Sequence, residues 1–513
     1  MHFITIEMVF YWLFLSFCAV PLIVLFISKW RYSYWKRRGV VQLNPEFLFG
    51  DLRDMLTAKI SMGEAFKTIY FTLKNKKLDY GGIYLAFNPV FIPLNLQLIK
   101  DMLMKSFDNF QDRGIYNNPK DLLSYNLFRM GGRPWKQLRV KLTPTFTSSK
   151  MKMMFETLTK KIDKFPPIID QCIRDGSQIN VTDVSGRFTT DVIGSCAFGI
   201  ECDSLSNPAC DFRIYGKKVN EPNYLRQWME KAFPKNLLPY VGFKTLRKVE
   251  DFYKNIVLNT IEHREKNTVI RKDFMQLLLQ LRNLSDDEKL INNKEKNQTR
   301  VLSDDEIIAQ CFIIFIAGVE TSTITMALAL YEAAKNSLIQ DKMRQEIRQV
   351  FAKYDDKFTY EAAKELVYME QVILETLRKY PVSPTLPRVC TKRYNIPGTT
   401  VFIEKGTTVE IPIWGIHMDP DYYPNPDIFD PERFSQEEKA KRSASMYLPF
   451  GEGPRTCIGA RFGMLQVKTG LVGLLKDYRY SISSKTPNTL SYTPTVLFLL
   501  HPNEDIFLKP EKI

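Results

Sequence analysis

The sequence lacks any Cys-x-x-Cys pair; its eight cysteines, Cys18, Cys172, Cys196, Cys202, Cys210, Cys311, Cys390 and Cys457, are dispersed over 513 residues. Such dispersal argues against a disulfide framework and fits a reducing compartment. Zinc-ligand spacing is absent, as are RNA-binding aromatic motifs and any basic low-complexity tail. The 71 Lys+Arg against 57 Asp+Glu, a net +14, therefore do not point to nucleic acid. They point to an anionic membrane surface or an acidic protein partner. No Gly-x-Gly-x-x-Gly follows a strand-like segment, so the chain carries no flavin or nicotinamide fingerprint. Repeats of fixed period and long low-complexity tracts are also missing. What remains, at 45% hydrophobic and 25% charged residues, is an ordinary globular composition. The length leaves room for two domains or for one large, mainly helical domain.

Charge is missing altogether from residues 8–28, a run of 21. A bilayer core needs roughly 20 apolar residues in a helix, so this run is long enough to span. A cleaved signal peptide fits less well: the apolar stretch exceeds the usual ~7–15 residues, no cation precedes it, and no A-x-A site follows. Lys29, Arg31, Lys36, Arg37 and Arg38 come directly after the run, whereas only His2 and Glu7 precede it. The positive-inside rule then leaves the short N-terminus outside the cytosol and everything beyond Trp30 within it. The sequons at Asn180, Asn283 and Asn297 are expected to be unmodified in that orientation. Residues 1–30 thus read as a membrane anchor, 31–50 as a basic flank and linker containing Pro45 and Gly50, and 51–513 as the main globular domain.

Helical text dominates that domain, and strand-like text is confined to residues 82–87, 400–403, 407–413 and 494–500. The fold class expected is mainly α with small β-sheets. Residues 285–300 are the most polar stretch and read as a solvated loop, a candidate hinge between two halves. Ser303-Asp-Asp-Glu306 is a capping box. No proline interrupts the residues that follow as far as Lys335, which predicts a helix of about 48 Å at ~1.5 Å per residue. Its middle, residues 311–317, is apolar on every face and is expected to be buried all round.

The strongest local signal is Phe450-Gly-Glu-Gly-Pro-Arg-Thr-Cys457-Ile-Gly459. Glycines at 451, 453 and 459 permit tight turns and close backbone approach to a ligand. Arg455 beside the cysteine is expected to favour thiolate, a soft ligand suited to iron. A lone cysteine in such a turn reads as a buried thiol. The five fixed positions of F-x-x-G-x-R-x-C-x-G, however, should coincide by chance in only about one chain in ten thousand of this length. Glu375-Thr-Leu-Arg378 places an acid and a base i,i+3 on a helix that stops at Pro381. Glu320 and Thr321 sit mid-helix in a buried stretch, where neither is a good choice for packing alone. A hydroxyl bonded back to its own helix is the bland reading of Thr321.

Together these segments resemble the cytochrome P-450 superfamily over essentially the whole chain. The cysteine loop is similar to its haem-binding signature, Glu375–Arg378 to its E-x-x-R pair, and Pro431-Glu-Arg433-Phe434 to its P-E-R-F segment. Ala317-Gly-Val-Glu320-Thr321-Ser322 resembles the oxygen-activation motif, and Trp135-Lys-Gln-Leu-Arg139 the W-x-x-x-R motif. The resemblance implies the P-450 fold behind an N-terminal transmembrane helix, haem b held by Cys457 as axial iron ligand, and Phe450 packed at the cofactor. It implies that Trp135, Arg139, Arg388 and Arg455 hold the propionates, with Arg113 as a further candidate. Arg433 would complete a buried charged triad with Glu375 and Arg378. Gly318 would let the long helix open locally, Thr321 would hydrogen-bond dioxygen, and Glu320 would relay protons. Electrons would come from NADPH–cytochrome P-450 reductase, with Lys136, Lys141, Lys150, Lys152 and Arg461 as a basic docking face.

The activity implied is insertion of one atom of O2 into an apolar substrate, at the cytosolic face of the endoplasmic reticulum membrane. The segments around Asp112-Arg-Gly114, residues 271–280, residues 394–410 and Asp419-Pro-Asp-Tyr-Tyr-Pro424 are similar to insect microsomal enzymes that handle plant toxins and insecticides. The chain departs from them after the anchor, where their proline cluster is reduced to Pro45. The substrate pocket is expected to draw on residues 107–128, Pro384-Thr385-Leu386 and Thr495-Val496-Leu497, with fewer than half of the apolar residues in the first segment touching ligand. A haem-based sensor or electron carrier, and a haem-thiolate isomerase, are the alternatives. Both are disfavoured by the intact Glu320-Thr321 pair.

Overall fold

The computed structural model describes residues 26–219, 237–283, 302–496 and 498–513, with a few further positions between 220 and 236. Residues 8–25 of the expected membrane span, the polar stretch 285–300, Asn297 and Leu497 lie outside the described residues.

Helices carry the fold, each begun or ended by a local device. Helix α1, Met62–Lys74, starts at a capping box in which Ser61 and Glu64 satisfy each other's amides. Helix α2, Gly132–Leu142, follows Gly131. Helix α3, Val181–Ile193, is capped by the Asn180 side chain, which accepts from the Asp183 N–H at 2.9 Å. The long helix α4 runs over Asp304–Lys335, its Ser303–Glu306 capping box formed in both directions. Helix α5, Val367–Lys379, ends two residues before Pro381, and α6 spans Ala460–Leu475 behind Gly459.

The strands are few and short. β1, Tyr80–Leu85, and β2, Asn88–Pro93, form a hairpin with Gly82 opposite Phe91. β3 is Ile179–Asn180, and β4 is Leu386–Val389. β5, Tyr394–Asn395, pairs with β6, Phe402–Ile403. β7, Thr408–Ile411, lies between β2, to which it is parallel, and β4, to which it is antiparallel, giving the order β1-β2-β7-β4. β8, Tyr478–Ile482, and β9, Phe507–Lys512, complete a second sheet in the order β3-β9-β8. The strand expected over residues 494–500 is not formed among the described residues there; turns occupy that segment. Its apolar side chains instead serve as wall, with Phe498 and Leu499 lining a cavity. β2, β4 and the closing pair were not read from sequence; Pro89 and Pro387 mask the strand pattern of β2 and β4, and Pro387 is tolerated on β4 at the sheet edge.

The two larger sheets join strands from either side of residues 285–300, which therefore do not divide two separately packed halves. α4 is the axle of the core. It packs most extensively against α3, where a Cβ at Gly318 would meet the Ile193 side chain at 2.5 Å. Gly318 therefore serves close helix approach, and α4 continues as α-helix straight through it rather than opening there. Among the described residues α4 alone is long and apolar enough to cross a membrane, yet it is mostly buried in the core. Its middle is not buried all round. Ile313, Ile314 and Ala317 turn toward an internal cavity, the feature around which the site is built.

Candidate active site

That cavity has a volume of about 290 Å³. One wall is the α4 face bearing Ile313, Ile314, Ala317, Thr321 and Thr325; another is the loop from Pro449 to Ile458. The loop is shaped by left-handed glycines, Gly451 at φ 70° and Gly453 at φ 76°. A Cβ on Gly453 would stand 2.1 Å from the Leu103 carbonyl oxygen, so no other residue fits there. The Cys457 N–H donates to the Phe450 carbonyl at 2.9 Å, closing the loop and bringing both side chains to the cavity.

Cys457 is the one exposed cysteine among the described residues, but the surface it shows is cavity wall rather than protein exterior. Burial pushes its thiol up from the ordinary value, opposed by the Gly459 N–H and by Arg113 and Arg139. The cationic pull thus comes from those two arginines and not from Arg455. The Arg455 guanidinium stacks 3.9 Å over the Trp135 ring and donates to the Gln111 and Met130 carbonyls at 2.7 and 2.6 Å. A metal would deprotonate the thiol outright.

Arg113, Trp135, Arg139 and Arg455 line one end of the cavity. Arg388, on β4, stands just behind the wall formed by its neighbours Leu386 and Pro387. This is a concentration of positive charge with little to neutralise it. Burial, then Arg113 and Arg388, hold Arg455 down to about 8; burial and Arg113 hold Arg388 down to about 9; burial and Arg139 hold Arg113 down to about 10. Buried nitrogens Nε and Nη2 of Arg388 and Nη1 of Arg455 have no partner within the described residues. Asp112 stays 3.9 Å from Arg455 and accepts the Gly132 N–H at 2.7 Å. Leaving such donors unmet is costly, so the site is built for an anion that the described residues do not supply.

The geometry fits haem at three points. The arginine cluster suits two propionates, and Cys457 offers a soft ligand. Gly459 and Gly463, one turn apart, complete the cradle: a Cβ at Gly459 would meet nothing closer than Phe146 at 4.0 Å, and one at Gly463 nothing within 4 Å. Protein packing does not require glycine at either position, whereas a flat group lying against the start of α6 would.

Glu375, Arg378 and Arg433 form the support beneath. Arg378 makes a bidentate pair with Glu375, at 2.7 and 2.8 Å, with both side chains fully buried. It also donates to the carbonyls of His417 at 3.0 Å and Pro426 at 2.7 Å. Arg433 Nε lies 3.6 Å from Glu375, an ion pair beyond hydrogen-bond range. His417 was not singled out from sequence. Its Nε2 accepts the Leu448 N–H at 2.9 Å, while Tyr447, stacked on its ring, donates to the Leu374 carbonyl at 2.7 Å. These bonds tie α5 to the segment leading into the cysteine loop. Burial depresses His417 to about 3, which keeps it neutral and able to accept.

Thr321 and Glu320 point in different directions. Thr321 faces the cavity and its Oγ1 donates to the Ala317 carbonyl at 2.5 Å, the back-bond to its own helix. Glu320 is not part of the cavity wall. Its carboxylate lies 4.0 Å from His501 Nε2. Of Phe107, Phe110, Tyr116, Leu122, Leu123, Tyr125, Leu127 and Phe128, the apolar side chains that the segment 107–128 offers the pocket, only Leu127 and Phe128 line the cavity; Phe110, for example, is buried against Tyr394.

Comparison with known proteins agrees with this geometry. The cytochrome P450 family model matches residues 55–508. The chain is similar to "Probable cytochrome P450 6a18" of Drosophila melanogaster, at 41% identity over 98% of this chain and 99% of that protein. It is similar to cytochrome P450 6a8 of the same fly at 39% over 98% and 99%, and to cytochrome P450 6A1 of Musca domestica at 38% over 92% and 94%. A cysteine loop, an anion-seeking arginine cluster and relatives of this identity along nearly the full length lead to one conclusion: the chain belongs to the cytochrome P450 family and is a monooxygenase.

Proposed function

We propose that the chain is a microsomal oxygenase of broad selectivity for lipophilic compounds, xenobiotics such as plant toxins and insecticides among them, using O2 and electrons from NADPH–cytochrome P450 reductase. The observation that carries this reading is the cavity itself, in which Cys457, the arginine cluster and Thr321 converge between walls that are otherwise largely apolar. Bound haem b would supply the dioxygen chemistry, to which a thiolate ligand lends electron push. Cys457 would hold the iron, and Arg113, Trp135, Arg139, Arg388 and Arg455 would hold the propionate end. Leu127, Ile313, Ile314, Leu386 and Phe498 exclude water and take substrate by area removed from water, at roughly 25 cal/mol per Å². Walls of this kind distinguish one methylene by only about 1–3 kcal/mol, which favours breadth over exclusivity.

The remaining roles belong to the same reading. Glu320, on the side of α4 away from the cavity wall, passes protons toward it, and Thr321, which faces the cavity, holds one at Oγ1 once rotation frees it from Ala317. Replacing Thr321 with Ala removes that hydroxyl while sparing Cys457 and the arginines. Haem content and substrate binding should persist while NADPH electrons drain into peroxide or water. Unchanged product per NADPH would reduce Thr321 to its helix bond.

The anchor at residues 8–28 and the basic residues after it support attachment to the endoplasmic reticulum membrane with residues beyond Trp30 in the cytosol. At Asn180, Nδ2 donates to Asp505 at 2.7 Å while Oδ1 caps α3, so the side chain is engaged by the fold. Lys136 and Arg461 are exposed near the cysteine loop and suit an acidic electron donor; Lys152 is exposed too but is paired with Glu361 at 2.7 Å. The reading is tested by supplying the full chain with the reductase and NADPH against a panel of bulky lipophiles and small charged metabolites. Oxidation of several lipophiles is expected. Turnover of a single charged metabolite alone would contradict it.

A further inference from the structure

The chain contains only four histidines, and one of them stands behind the oxygen-activation motif. His501 precedes Pro502 in the C-terminal segment that ends in β9. Its Nδ1 lies 2.7 Å from the Pro502 carbonyl, which can only accept, so Nδ1 carries a hydrogen. Nε2 is therefore the nitrogen that gains and loses a proton, and it is this atom that lies 4.0 Å from Glu320 Oε2. The Thr493 N–H donates to the His501 carbonyl at 2.8 Å and fixes the backbone. Exposure of the two side chains falls from 28% at His501 to 12% at Glu320. Glu320 is thus nearly closed to solvent, and His501 is the more open of the pair.

Charged side chains on the flanking segments have other partners. Glu504 is bonded to Ser491 and Asp505 to Asn180. On α3, Asp183 is held by Arg187, Arg213 and Lys217. No described lysine or arginine pairs with Glu320, so among the described residues the histidine is the one basic side chain paired with it.

We propose that His501 is the solvent-side proton donor to Glu320, the outer member of a relay that runs His501, Glu320, Thr321. The proposal rests on the roles of Glu320 and Thr321 given above. In the step, the Nε2–H bond of the imidazolium breaks and an O–H bond forms on Glu320 Oε2. Nε2 then takes a replacement proton from a water or buffer acid at the surface, and no electron moves. A 4.0 Å separation closes by rotation of either side chain or through one bridging water. His501 acts through Glu320 and does not touch substrate, so it is a positioning and supply residue rather than a catalytic one.

The test uses the full-length holoenzyme with its reductase and compares His501→Gln, Glu320→Gln and the double variant. His501→Gln keeps a donor for the Pro502 carbonyl but cannot shuttle a proton. Haem content and the spectral shift on binding a lipophile should match the parent in all three. Product per NADPH should fall about ten-fold in His501→Gln, with peroxide rising to match. That is less than the 10²–10⁴-fold of a directly acting general acid, because water still reaches Glu320 slowly. The double variant should couple no worse than Glu320→Gln alone, since both changes cut one path. If His501→Gln fails to load haem, His501→Lys, which keeps a protonatable cation, takes its place and should couple better than Glu320→Gln. Normal coupling in His501→Gln with poor coupling in Glu320→Gln, or additive losses in the double variant, would overturn the histidine's part alone. Normal coupling in Glu320→Gln would overturn the acid's role and the relay with it.

Discussion

Arg378→Leu is expected to eliminate most of the folded, haem-loaded protein. The substitution leaves the Glu375 carboxylate at 0% exposure without its bidentate partner and removes donors from the His417 and Pro426 carbonyls. Breaking a buried pair from one side costs about 3–5 kcal/mol, against a typical total stability of ~5–15 kcal/mol. The pair is not itself a source of much stability. Burial holds Glu375 above the usual carboxylate range despite Arg378, so folding draws this acid toward its protonated form. A raised folded value favours folding below the unfolded value, and that contribution is lost as pH rises through the folded one. The pair is kept for what it aligns. From Arg378 the path runs through the His417 carbonyl, His417 Nε2 and the Leu448 N–H to the cysteine loop. Arg378→Lys should fare nearly as badly, because a point charge cannot serve two carboxylate oxygens and two carbonyls in a plane. The yield of soluble haem-containing protein and its thermal unfolding midpoint check both variants. A midpoint within a degree or two of the parent would refute the role assigned to the pair.

The second large effect is at Cys457. Cys457→Ser should fold, since the loop is held by the Cys457 N–H to Phe450 carbonyl bond and by left-handed Gly451 and Gly453, none of which uses the sulfur. The arginine cluster and the glycine cradle remain as well, so some haem should still bind. NADPH-dependent product formation should vanish, because a serine oxygen is a poor substitute for a soft, electron-donating thiolate. None of the other described cysteines lines the cavity; Cys196 and Cys311, for example, lie in the core with thiols pushed by burial to about 12 and well above the ordinary range, respectively. Retained turnover in Cys457→Ser would place the ligand elsewhere.

Much of this was legible in the sequence where local chemistry decides the outcome. The Ser303–Glu306 box and the proline-free run behind it define α4 from end to end. The spacing of Glu375 and Arg378 gives one helix face, and the glycine pattern gives the turn that carries Cys457. What depends on distant partners was not legible. Residues 311–317 look apolar on all sides, and only the packed chain reveals that Ile313, Ile314 and Ala317 face a cavity. Gly318 reads as a hinge in the motif, but its reason is Ile193 on α3. Arg455 stands two places before Cys457, yet its guanidinium is taken up by Trp135, Gln111 and Met130, and Arg113 and Arg139 come from far along the chain to act on the thiol. The residues at 494–500 have the composition of a strand, but those described turn and bend there, with Phe498 at φ 67° and Leu499 lining the cavity. His417 and His501 carry no motif that separates them from other histidines.

The central claim is that the Cys457 sulfur ligates haem iron in this cavity. The most direct measurement is the difference spectrum of the reduced carbon monoxide complex of the full-length protein, recorded beside that of Cys457→Ser at matched haem content. The parent should show the red-shifted Soret band of a thiolate ligand, and Cys457→Ser should lack it entirely. The same thiolate band in Cys457→Ser, or its absence from a parent protein that oxidises substrate, would contradict the account.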